Sequence, residues 1–472
     1  MEVLQRTANR GSISTDTGYN IAYSNKFESD NSEGIHRNYD ASTGANCIQN
    51  NSTTNAKKFT VSYWVKKTEL LASGQNIPWL AIAGGSATVV KFQDEQFAAY
   101  DDNAGWSLKT DAKFTDTSAW YHLVCAVDTT QSTAANRVNL YVNGVLQTSF
   151  ATENYGTQNN DNQLWRTNTG HMIGQAAYFK GGYITEVHCI DGTQYAASDF
   201  GEYDEDSGIW KPKEVDVTYG AQGYYINWSD FASANSNANN TGVGKDFSGN
   251  TNPFVNLNNW SSADIATDTP TNNFCTINTP FEPLVGGPPT ITEGATIMTA
   301  GSSGQQDSYG TMALFKGKWY FEFSVLNVGG LAIANMFGGV VKVNRLLQSS
   351  YNNAANGHHS HDGGWGGGVN AVGVHSGSGS GFSAVSGSAV DVVVGVAVDM
   401  DSGKIWWSSG GTYASSSGTA SNPANGTLPQ FTNLLTQYPG EPVVPAYNHY
   451  VHQATTKGAF NFGNPFDHAF TD

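Results

Sequence analysis

Charged side chains are scarce in this chain, and basic side chains are the scarcest. Only 13% of the 472 residues are Asp, Glu, Lys or Arg, and 40 acidic residues outnumber 23 basic ones to give a formal net charge of −17. Such a surface repels phosphate backbones and anionic bilayers. We therefore expect no nucleic-acid partner and no electrostatic attraction to membranes.

Long apolar runs are also missing. No stretch approaches the roughly 20 apolar residues of a membrane-spanning helix. The opening residues, MEVLQRTANRGSIS, lack the apolar core of a signal peptide. The sequence thus predicts no membrane insertion and no export by the signal-peptide route.

Four cysteines are too few and too widely spaced for a disulfide scaffold. Cys47, Cys125, Cys189 and Cys275 form no C-x-x-C pair of the kind used in zinc and redox sites. Cys125 and Cys189 stand in apolar runs, YHLVCAVD and ITEVHCID, so we predict buried free thiols there. Walker, G-x-S-x-G and H-E-x-x-H motifs are absent as well.

What the chain does contain is glycine, aromatic residues and short alternating runs. It has 53 glycines and 12% aromatic residues, and segments such as KFTVSYWVKK and YITEVHCIDG alternate apolar with polar residues, the period of a sheet with one buried face. Many short strands with turn signals between them predict an all-β sandwich or jelly roll. The length favours two or three domains.

Within residues 136–150, NRVNLYVNGVLQTSF predicts a β-hairpin with an Asn-Gly turn. The order FTVSYWVK, WYHLVCAVD, VNLYVNGVLQ and IGQAAYFKGGYITEVHCID resembles the laminin G-like, or concanavalin A-like lectin/glucanase, module. This resemblance covers about residues 19–200. The matching positions are Trp120, Tyr121, His122, Asn143, Gly144, Gly174, Gly182, Ile184 and Val187.

A second resemblance covers about residues 293–472. GKWYFEFSV, VGVAVDMDSGKIWWSSGGTY and a closing FNFGNPF are similar to the strands of the SPRY domain, although a Gly/Ser/His-rich stretch replaces the middle of that family. The matching positions are Gly317, Lys318, Tyr320, Glu322, Gly395, Asp399, Gly403, Ile405, Trp406 and Ser408.

Both resemblances imply the same fold, because laminin G-like and SPRY modules are two versions of one jelly roll. The predicted fold class is therefore all-β, with two concanavalin A-like jelly-roll β-sandwiches in tandem. We assign residues 1–18 to an N-terminal attachment arm, 19–200 to the first sandwich, 201–292 to an irregular connector with short strands, and 293–472 to the SPRY-like sandwich. The hairpin of residues 136–150 and a second hairpin predicted in VGVAVDMDSGKIWWSSGGTY are then the same core element, present once in each sandwich.

Aromatic residues in predicted loops and strand ends are the main functional signal, because sugar rings stack on Trp and Tyr. The candidate ligand-binding residues are Trp106, Trp165, Tyr178, Trp365 and Tyr413. For each of them a structural role at a sandwich edge is the alternative.

Metal ligands are suggested at two places. In NGHHSHDGG, His358, His359 and His361 have the spacing to chelate zinc or iron, and a solvated glycine-rich loop is the alternative. Loop aspartates hold Ca²⁺ in some laminin G-like relatives, and this resemblance suggests a Ca²⁺ site. Its candidates are Asp101, Asp102, Asp161 and Asp191. No other cofactor is expected.

An enzyme is not expected. The glucanase relatives within the concanavalin A-like class commonly place carboxylates on one strand as E-x-D-x-x-E. The nearest match, EVDVTYG from Glu214 to Gly220, has Tyr219 in place of the third carboxylate.

Tandem sandwiches behind a polar arm resemble structural proteins of tailed phages that form fibres, tail appendages or capsid decorations. The resemblance implies a virion location, other virion proteins as partners of the arm, a host-surface glycan or receptor as ligand, and a homo-oligomer such as a trimer. A secreted bacterial lectin-like adhesin or glycan-active enzyme accessory is the alternative. A third interpretation is a peptide-binding SPRY-like domain with a groove around Trp365 and Tyr413.

Overall fold

The protein was analysed as a computed structural model that describes the following residues: 18–27, 34–37, 53–71, 74–166, 169–174, 179, 181–231, 240–257, 262–280, 289–299, 304–327, 336–342, 364–368, 393–409, 411–413, 421–429, 431–432, 434–437, 439–451 and 457–463. The chain divides into two compact units between Asn273 and Phe274. None of the helices described is long and apolar enough to cross a membrane.

Unit 1 is built from short antiparallel strands. They are β1 (Ser24–Phe27), β2 (Gly34–Arg37), β3 (Lys58–Lys67), β4 (Gln75–Ala83), β5 (Ser86–Gln93), β6 (Gln96–Asp101), β7 (Trp106–Lys113), β8 (Trp120–Asp128), β9 (Val138–Val142), β10 (Val145–Leu146), β11 (Phe150–Tyr155), β12 (Gly170–Ile173), β13 (Gly182–Asp191), β14 (Gly201–Tyr203), β15 (Trp210–Pro212), β16 (Tyr224–Ile226), β17 (Val255–Leu257) and β18 (Ile265–Ala266). Short 3₁₀ turns lie at Ala134–Asn136, Gln163–Trp165, Ala197–Asp199 and Ser262–Asp264.

Two eight-stranded sheets make up the sandwich of unit 1. Sheet I has the order β10-β9-β8-β3-β13-β1-β18, with β16 also paired to β13, and sheet II has the order β11-β7-β6-β5-β4-β12-β2-β17. Alternation along β3 sends Phe59, Val61, Tyr63 and Val65 into the core, where side chains of sheet II such as Phe92 join the same apolar cluster. The predicted all-β sandwich is confirmed.

Unit 2 contains two further sheets. Its strands are β19 (Thr290–Thr292), β20 (Ile297–Thr299), β21 (Gly304–Tyr309), β22 (Lys318–Asn327), β23 (Met336–Lys342), β24 (Gly364–Gly368), β25 (Val393–Asp399), β26 (Lys404–Ser409), β27 (Thr412–Tyr413), β28 (Val443–Val451) and β29 (Lys457–Asn461), with a helical turn α1 (Leu434–Gln437). Sheet III has the order β19-β20-β29-β22-β25-β26-β27 and sheet IV the order β21-β28-β23-β24. Phe323 of sheet III and Tyr447 of sheet IV share one core.

Both hairpins expected from the sequence are present. In unit 1, Asn143 and Gly144 have φ of 48° and 79° and connect Val142 to its partner Val145, which is the two-residue turn predicted from Asn-Gly. In unit 2, β25 and β26 pair from Asp399 and Lys404 onward. Cys125 and Cys189 are free and buried, as expected.

The stretch that the sequence assigns to a connector contributes to unit 1 up to residue 273. β16 and β18 join sheet I and β17 joins sheet II, while residues 195–219, the return segment, cover the outer face of sheet I with Phe200 and Trp210 against Trp64 and Trp120. These strands are only two or three residues long, so the sequence contains no alternation of apolar and polar residues from which they could be predicted.

A buried ion pair fastens a later part of the chain to the same outer face. Lys66 Nζ donates to Asp268 Oδ2 at 2.7 Å with both side chains fully buried. The indole N–H of Trp120 donates to Asp268 Oδ1 at 2.8 Å. Separating the two side chains would leave an unpaired charge in the interior, which is strongly destabilising. Asp268 therefore fixes the position of its segment.

His122 lies under the return segment, between two indole rings. Its ring centroid is 4.7 Å from that of Trp64 and 5.9 Å from that of Trp210, with near-parallel planes. Trp210 Nε1 donates to His122 Nδ1 at 3.0 Å, which leaves Nε2, 2.8 Å from Ser62 Oγ, to carry the proton. Burial, followed by the charge of His188, lowers the pKa of His122 to about 3.

His171 is a second buried neutral histidine. It lies 3.2 Å from the hydroxyl of Tyr224 through Nδ1 and 3.1 Å from the carbonyl oxygen of Leu164 through Nε2. Burial, and next the charge of Arg37, lowers its pKa to about 3.

Unit 1 should lose stability on mild acidification. Between the ordinary histidine pKa of 6.5 and the folded value of about 3, the unfolded chain binds a proton at His122 and at His171 while the folded chain does not. The stabilising contribution of each is therefore complete above pH 6.5 and falls by about 2 kcal/mol between pH 7 and about pH 5. Urea unfolding of the protein at the two pH values measures this change.

A His171→Gln variant should lose about half of that pH dependence. Equal free energies of unfolding at pH 7 and pH 5 in the unsubstituted protein would contradict the neutral assignment of the two histidines.

Candidate functional site

Strand β13 changes its pairing partner along one edge, and we call this point the fork; a residue with left-handed backbone lies there. One edge of β13 pairs with β3, while the other edge pairs with β1 over Gly182–Ile184 and with β16 over Val187–Cys189. The register with β3 shifts between Thr185 and His188. Glu186, inside this bulge, has φ of 50°, a left-handed value that is costly for a residue other than glycine.

Two tyrosines converge on the carboxylate that the bulge presents. Tyr19, just before β1, and Tyr225, in β16, each donate a hydroxyl hydrogen to Glu186 Oε2 at 2.8 Å, and their hydroxyls are 3.1 Å apart. The segment before β1 and the strand β16 therefore each supply a donor. Bonds to a carboxylate are stronger than bonds between neutral groups.

His188 and Tyr219 complete this cluster, which we call the tyrosine–glutamate site. The imidazole stacks on Tyr225 with centroids 4.2 Å apart and an interplanar angle of 9°. Its Nδ1 lies 2.8 Å from the hydroxyl of Tyr219, and its Nε2 lies 3.7 Å from Glu186 Oε2. The site thus combines one carboxylate, one imidazole and three phenols.

Burial raises the pKa of Tyr19, Tyr219 and Tyr225, and the charge of Glu186 raises it further. The three hydroxyls are consequently protonated donors at neutral pH. Glu186 itself is 4% exposed, and among the residues described the only Lys, Arg or His side chain within 4 Å of its carboxylate is the imidazole of His188.

The geometry is suited to binding a ligand rich in hydroxyl groups. Oε1 of Glu186 accepts no hydrogen bond from any described residue, while the side chains of Tyr19, Tyr219 and Tyr225 remain half-buried. Carboxylate oxygens and phenols exchange hydrogen bonds with alcohols, and aromatic rings pack on the C–H faces of sugars. Glu214 is exposed in a segment without strand structure, so EVDVTYG forms no catalytic strand.

Two aromatic residues that the sequence places at the ligand surface lie in the core instead. Trp106 is 1% exposed, because the alternation of β7 turns it inward, where its indole N–H donates to Asn162 Oδ1 at 3.0 Å. Trp165 is 6% exposed, because Gln163–Trp165 forms a 3₁₀ turn packed over the core. Neither ring presents a face to solvent on which a sugar could stack.

The other three aromatic candidates lie elsewhere. Tyr413 is half-buried in β27 of sheet III. Trp365 lies in β24 of sheet IV, paired with Val340, so the proposed groove would have to draw on two different sheets. Tyr178 and the side chain of Trp365 fall outside the described residues, as do His358, His359 and His361 of the suggested metal loop.

The aspartates proposed for Ca²⁺ are occupied by protein donors. Asp101 accepts from the backbone N–H groups of Asn103, Ala104 and Gln163 and from the hydroxyl of Thr88. Those hydrogens point at the oxygens that a cation would need.

The remaining three aspartates also have hydrogen-bond or ion-pair partners in the protein. Asp191 accepts from Thr53, Thr54, Asn55 and Gln222, Asp102 accepts from Ala87, and Asp161 pairs with Lys57. In the part of the chain that the structure describes, no group of three His, Cys, Asp or Glu side chains is placed to hold a metal ion.

Sequence reasoning missed every member of the tyrosine–glutamate site. Tyr219 and Tyr225 belong to the predicted connector, and Tyr19 is the first residue after the predicted arm. The available signals were the paired tyrosines of GYYINW and the glutamate of YITEVHC, which interrupts an apolar strand.

The left-handed backbone at Glu186 predicts that a glycine variant is more stable than an alanine variant, the reverse of the usual order in a strand. Glu186→Gly and Glu186→Ala lose the same hydrogen bonds, but only glycine relieves the backbone, so the glycine variant should be more stable by about 1 kcal/mol. Thermal or urea unfolding measures the difference.

Thr185 is the matched control, since it is buried and has an ordinary φ. There the glycine variant should be the less stable of the two by roughly 0.5–1 kcal/mol. An alanine variant at 186 as stable as the glycine variant would refute the strained bulge.

Comparison with known proteins agrees with the fold of unit 1. Residues 40–195 match a laminin G model of the concanavalin A-like lectin/glucanases superfamily. None of the curated proteins matches the chain significantly. These residues of unit 1 are therefore similar to the concanavalin A-like superfamily, in agreement with its two antiparallel sheets.

Similar solved structures are remote. The chain is 13% identical to the SPRY domain of human HERC1, with a TM-score of 0.27 over 40% of this chain and 98% of that chain. It is 10% identical to the TRIM65 PSpry domain, with a TM-score of 0.26 over 40% and 89%. For the heptameric SAP-like pentraxin from Limulus polyphemus, the identity is 10% and the TM-score 0.27 over 38% and 80%. Likenesses this weak say nothing about function.

Proposed function

We propose that this protein is a non-enzymatic structural protein of a tailed-phage particle, a fibre, tail appendage or capsid decoration, that binds a neutral glycan on the host surface. The observation that carries the binding role is the tyrosine–glutamate site, with an open carboxylate oxygen among three half-buried phenols. The particle role rests on the resemblance of the tandem sandwiches to virion proteins.

The chemistry of the site favours an uncharged polyol. Glu186 Oε1 accepts sugar hydroxyl hydrogens, and the oxygen atoms of Tyr19 and Tyr219 accept hydrogens from the remaining alcohols. The net charge of −17 repels acidic polysaccharides. A neutral polymer of hexoses or N-acetylated amino sugars therefore fits better than an anionic capsule.

Binding strength comes from many copies on one particle. A shallow site with few hydrogen bonds binds a single sugar weakly, and repeated presentation on an oligomer, such as a trimer, multiplies the effective affinity. The N-terminal residues 1–18 attach each copy to other virion proteins. The protein then reaches the cell exterior by host lysis, which requires no signal peptide.

Glycan binding is tested with the purified full chain on an array of neutral and acidic oligosaccharides, followed by titration calorimetry. Glu186→Gln should weaken binding of a neutral oligosaccharide by roughly tenfold or more, because it removes the charged acceptor of the sugar hydroxyls. Tyr225→Phe should weaken binding less, because it removes a hydrogen bond that holds the carboxylate in place.

The matched control for that titration is Glu153→Gln. Glu153 is exposed and also accepts a tyrosine hydroxyl, that of Tyr155, at 3.0 Å, and its substitution should leave binding unchanged. An equal loss of affinity in the Glu153→Gln and Glu186→Gln variants, or binding of acidic glycans alone, would contradict the proposed site.

Attachment is tested by deleting residues 1–17 and measuring incorporation into purified particles by mass spectrometry. We expect incorporation to be lost while the circular dichroism of the purified protein and its glycan binding persist, since Tyr19 remains. Unchanged incorporation would contradict the attachment role, and secretion of the protein by uninfected cells would favour an adhesin.

A further inference from the structure

Three side chains with the components of an amide-forming reaction meet on the outer face of sheet I. Lys66 Nζ donates to Asp268 Oδ2 at 2.7 Å and to Asn273 Oδ1 at 2.9 Å. The amine therefore lies beside a carboxylate that can accept its proton and a carboxamide whose carbon it can attack. That carbon is one C=O bond, about 1.23 Å, from the oxygen that Lys66 contacts.

A tight turn holds the carboxylate and the carboxamide side by side. Thr269 and Asn272 pair as an isolated antiparallel bridge, with hydrogen bonds in both directions between their backbones. Asp268 and Asn273 occupy the next positions across this turn. Because opposite positions of an antiparallel pair place their side chains on the same side, both side chains reach Lys66.

Aromatic side chains exclude water from the amine. The register of β3 places Lys66 opposite Trp120 on one side and opposite Tyr183 on the other, and all three residues are buried. Nζ of Lys66 lies 5.8 Å from the centroid of the Tyr183 ring. Transfer of one proton from Nζ to Asp268 leaves a neutral amine and a neutral acid, which need no hydration. A neutral amine in such a dry site is a nucleophile.

Hydrogen bonds fix the orientation of the other two groups. Asn273 Nδ2 donates to the carbonyl oxygen of Ser118 at 2.8 Å, which leaves Oδ1 of the same amide towards Lys66. The indole N–H of Trp120 donates to Asp268 Oδ1 at 2.8 Å, which leaves Oδ2 towards the amine. Reactants held in this way react as if at very high concentration.

We propose that Lys66 and Asn273 form an intramolecular isopeptide bond, with Asp268 as the catalytic acid and base. A proton passes from Nζ to Asp268, and the neutral amine attacks Cγ of Asn273. The new Nζ–Cγ amide forms as the Cγ–Nδ2 bond breaks. The departing nitrogen takes up one proton from Nζ and the proton held by Asp268, and it leaves as ammonium. Asp268 regains its negative charge, so the reaction consumes no oxidant, reductant or other reactant.

The bond closes a loop across a sequence separation of 207 residues. Asn273 is the last residue of unit 1, so tension on the chain beyond it passes directly to β3, the central strand of sheet I. The segment between the linked residues, which contains Glu186, Tyr219 and Tyr225, is not extended. The bond itself does not depend on the proposed glycan binding.

The first test is the intact mass of the denatured, purified full chain. The bond removes one NH₃, about 17 Da, from the mass that the sequence predicts. A protease digest should also contain one branched peptide that joins the segments around Lys66 and Asn273. A succinimide at an asparagine loses ammonia too, but it opens in mild alkali and gives no branched peptide.

Two variants each remove one reactant. Lys66→Arg keeps a cation beside Asp268 but has no nucleophilic amine, and Asn273→Ala keeps the ion pair but has no carboxamide. Each should have the full mass of its own sequence, and if Lys66→Arg fails to fold, Asn273→Ala decides. Asn272→Ala is the matched control, since Asn272 is an exposed amide of the same turn, and it should still lose ammonia.

Single-molecule stretching of the full chain gives a second readout. The unsubstituted protein should extend less than the Asn273→Ala variant by about 700 Å, the contour length of the closed loop at roughly 3.3–3.6 Å per residue. A merely structural role of Asn273 would not change the extended length.

Four outcomes would overturn the proposal. They are an intact mass equal to that of the sequence, a loss of ammonia that persists in Asn273→Ala, a loss that mild alkali reverses, and a loss of water, about 18 Da, with the branch at Asp268. The last outcome would make Asp268 a reactant instead of the acid and base.

Discussion

The structure of unit 1 depends on one strand, β3, being buried on both faces. Its inward residues meet sheet II, and its outward residues Trp64 and Lys66 are covered as well. A strand with two apolar or neutralised faces needs a layer on each side. The return segment supplies that layer, and Asp268 supplies the counter-charge for Lys66. Unit 1 is thus a sandwich with an added outer cover.

The cover also explains where the tyrosine–glutamate site forms. Residues 220–226 come back to the sheet after the return segment and pair with β13 only beyond the point where β1 leaves it. The bulge at Glu186 reconciles the two pairings, and it turns a carboxylate outward at the junction. Local strain and a converging set of donors therefore have the same cause, the change of partner along one strand.

The sequence predicted the regular parts well, because turn chemistry and period-two alternation are local. Asn143-Gly144 indicates its turn, and Cys125 sits correctly in a buried strand. The site was not predictable in this way, since Tyr19 and Tyr225 are 206 residues apart and meet only through the fork. Trp106 is not a ligand residue, because it is the first residue of β7 and the alternation of that strand turns its ring into the core.

The two units use a similar pair, a tyrosine hydroxyl on a nearly buried glutamate, in different surroundings. In unit 1 the carboxylate of Glu186 has an imidazole nearby, whereas in unit 2 the donors to Glu322 that the described residues supply, Tyr320 and Asn461, are neutral. The residue that position 144 can hold also depends on its surroundings. A type I′ turn accepts Asn or Asp at its second position, but a Cβ at 144 would enter the indole of Trp210 at 2.4 Å. Position 144 is therefore constrained twice, by its φ of 79° and by the indole of Trp210, and a small residue in place of Trp210 would leave only the constraint on φ, which Asn and Asp tolerate.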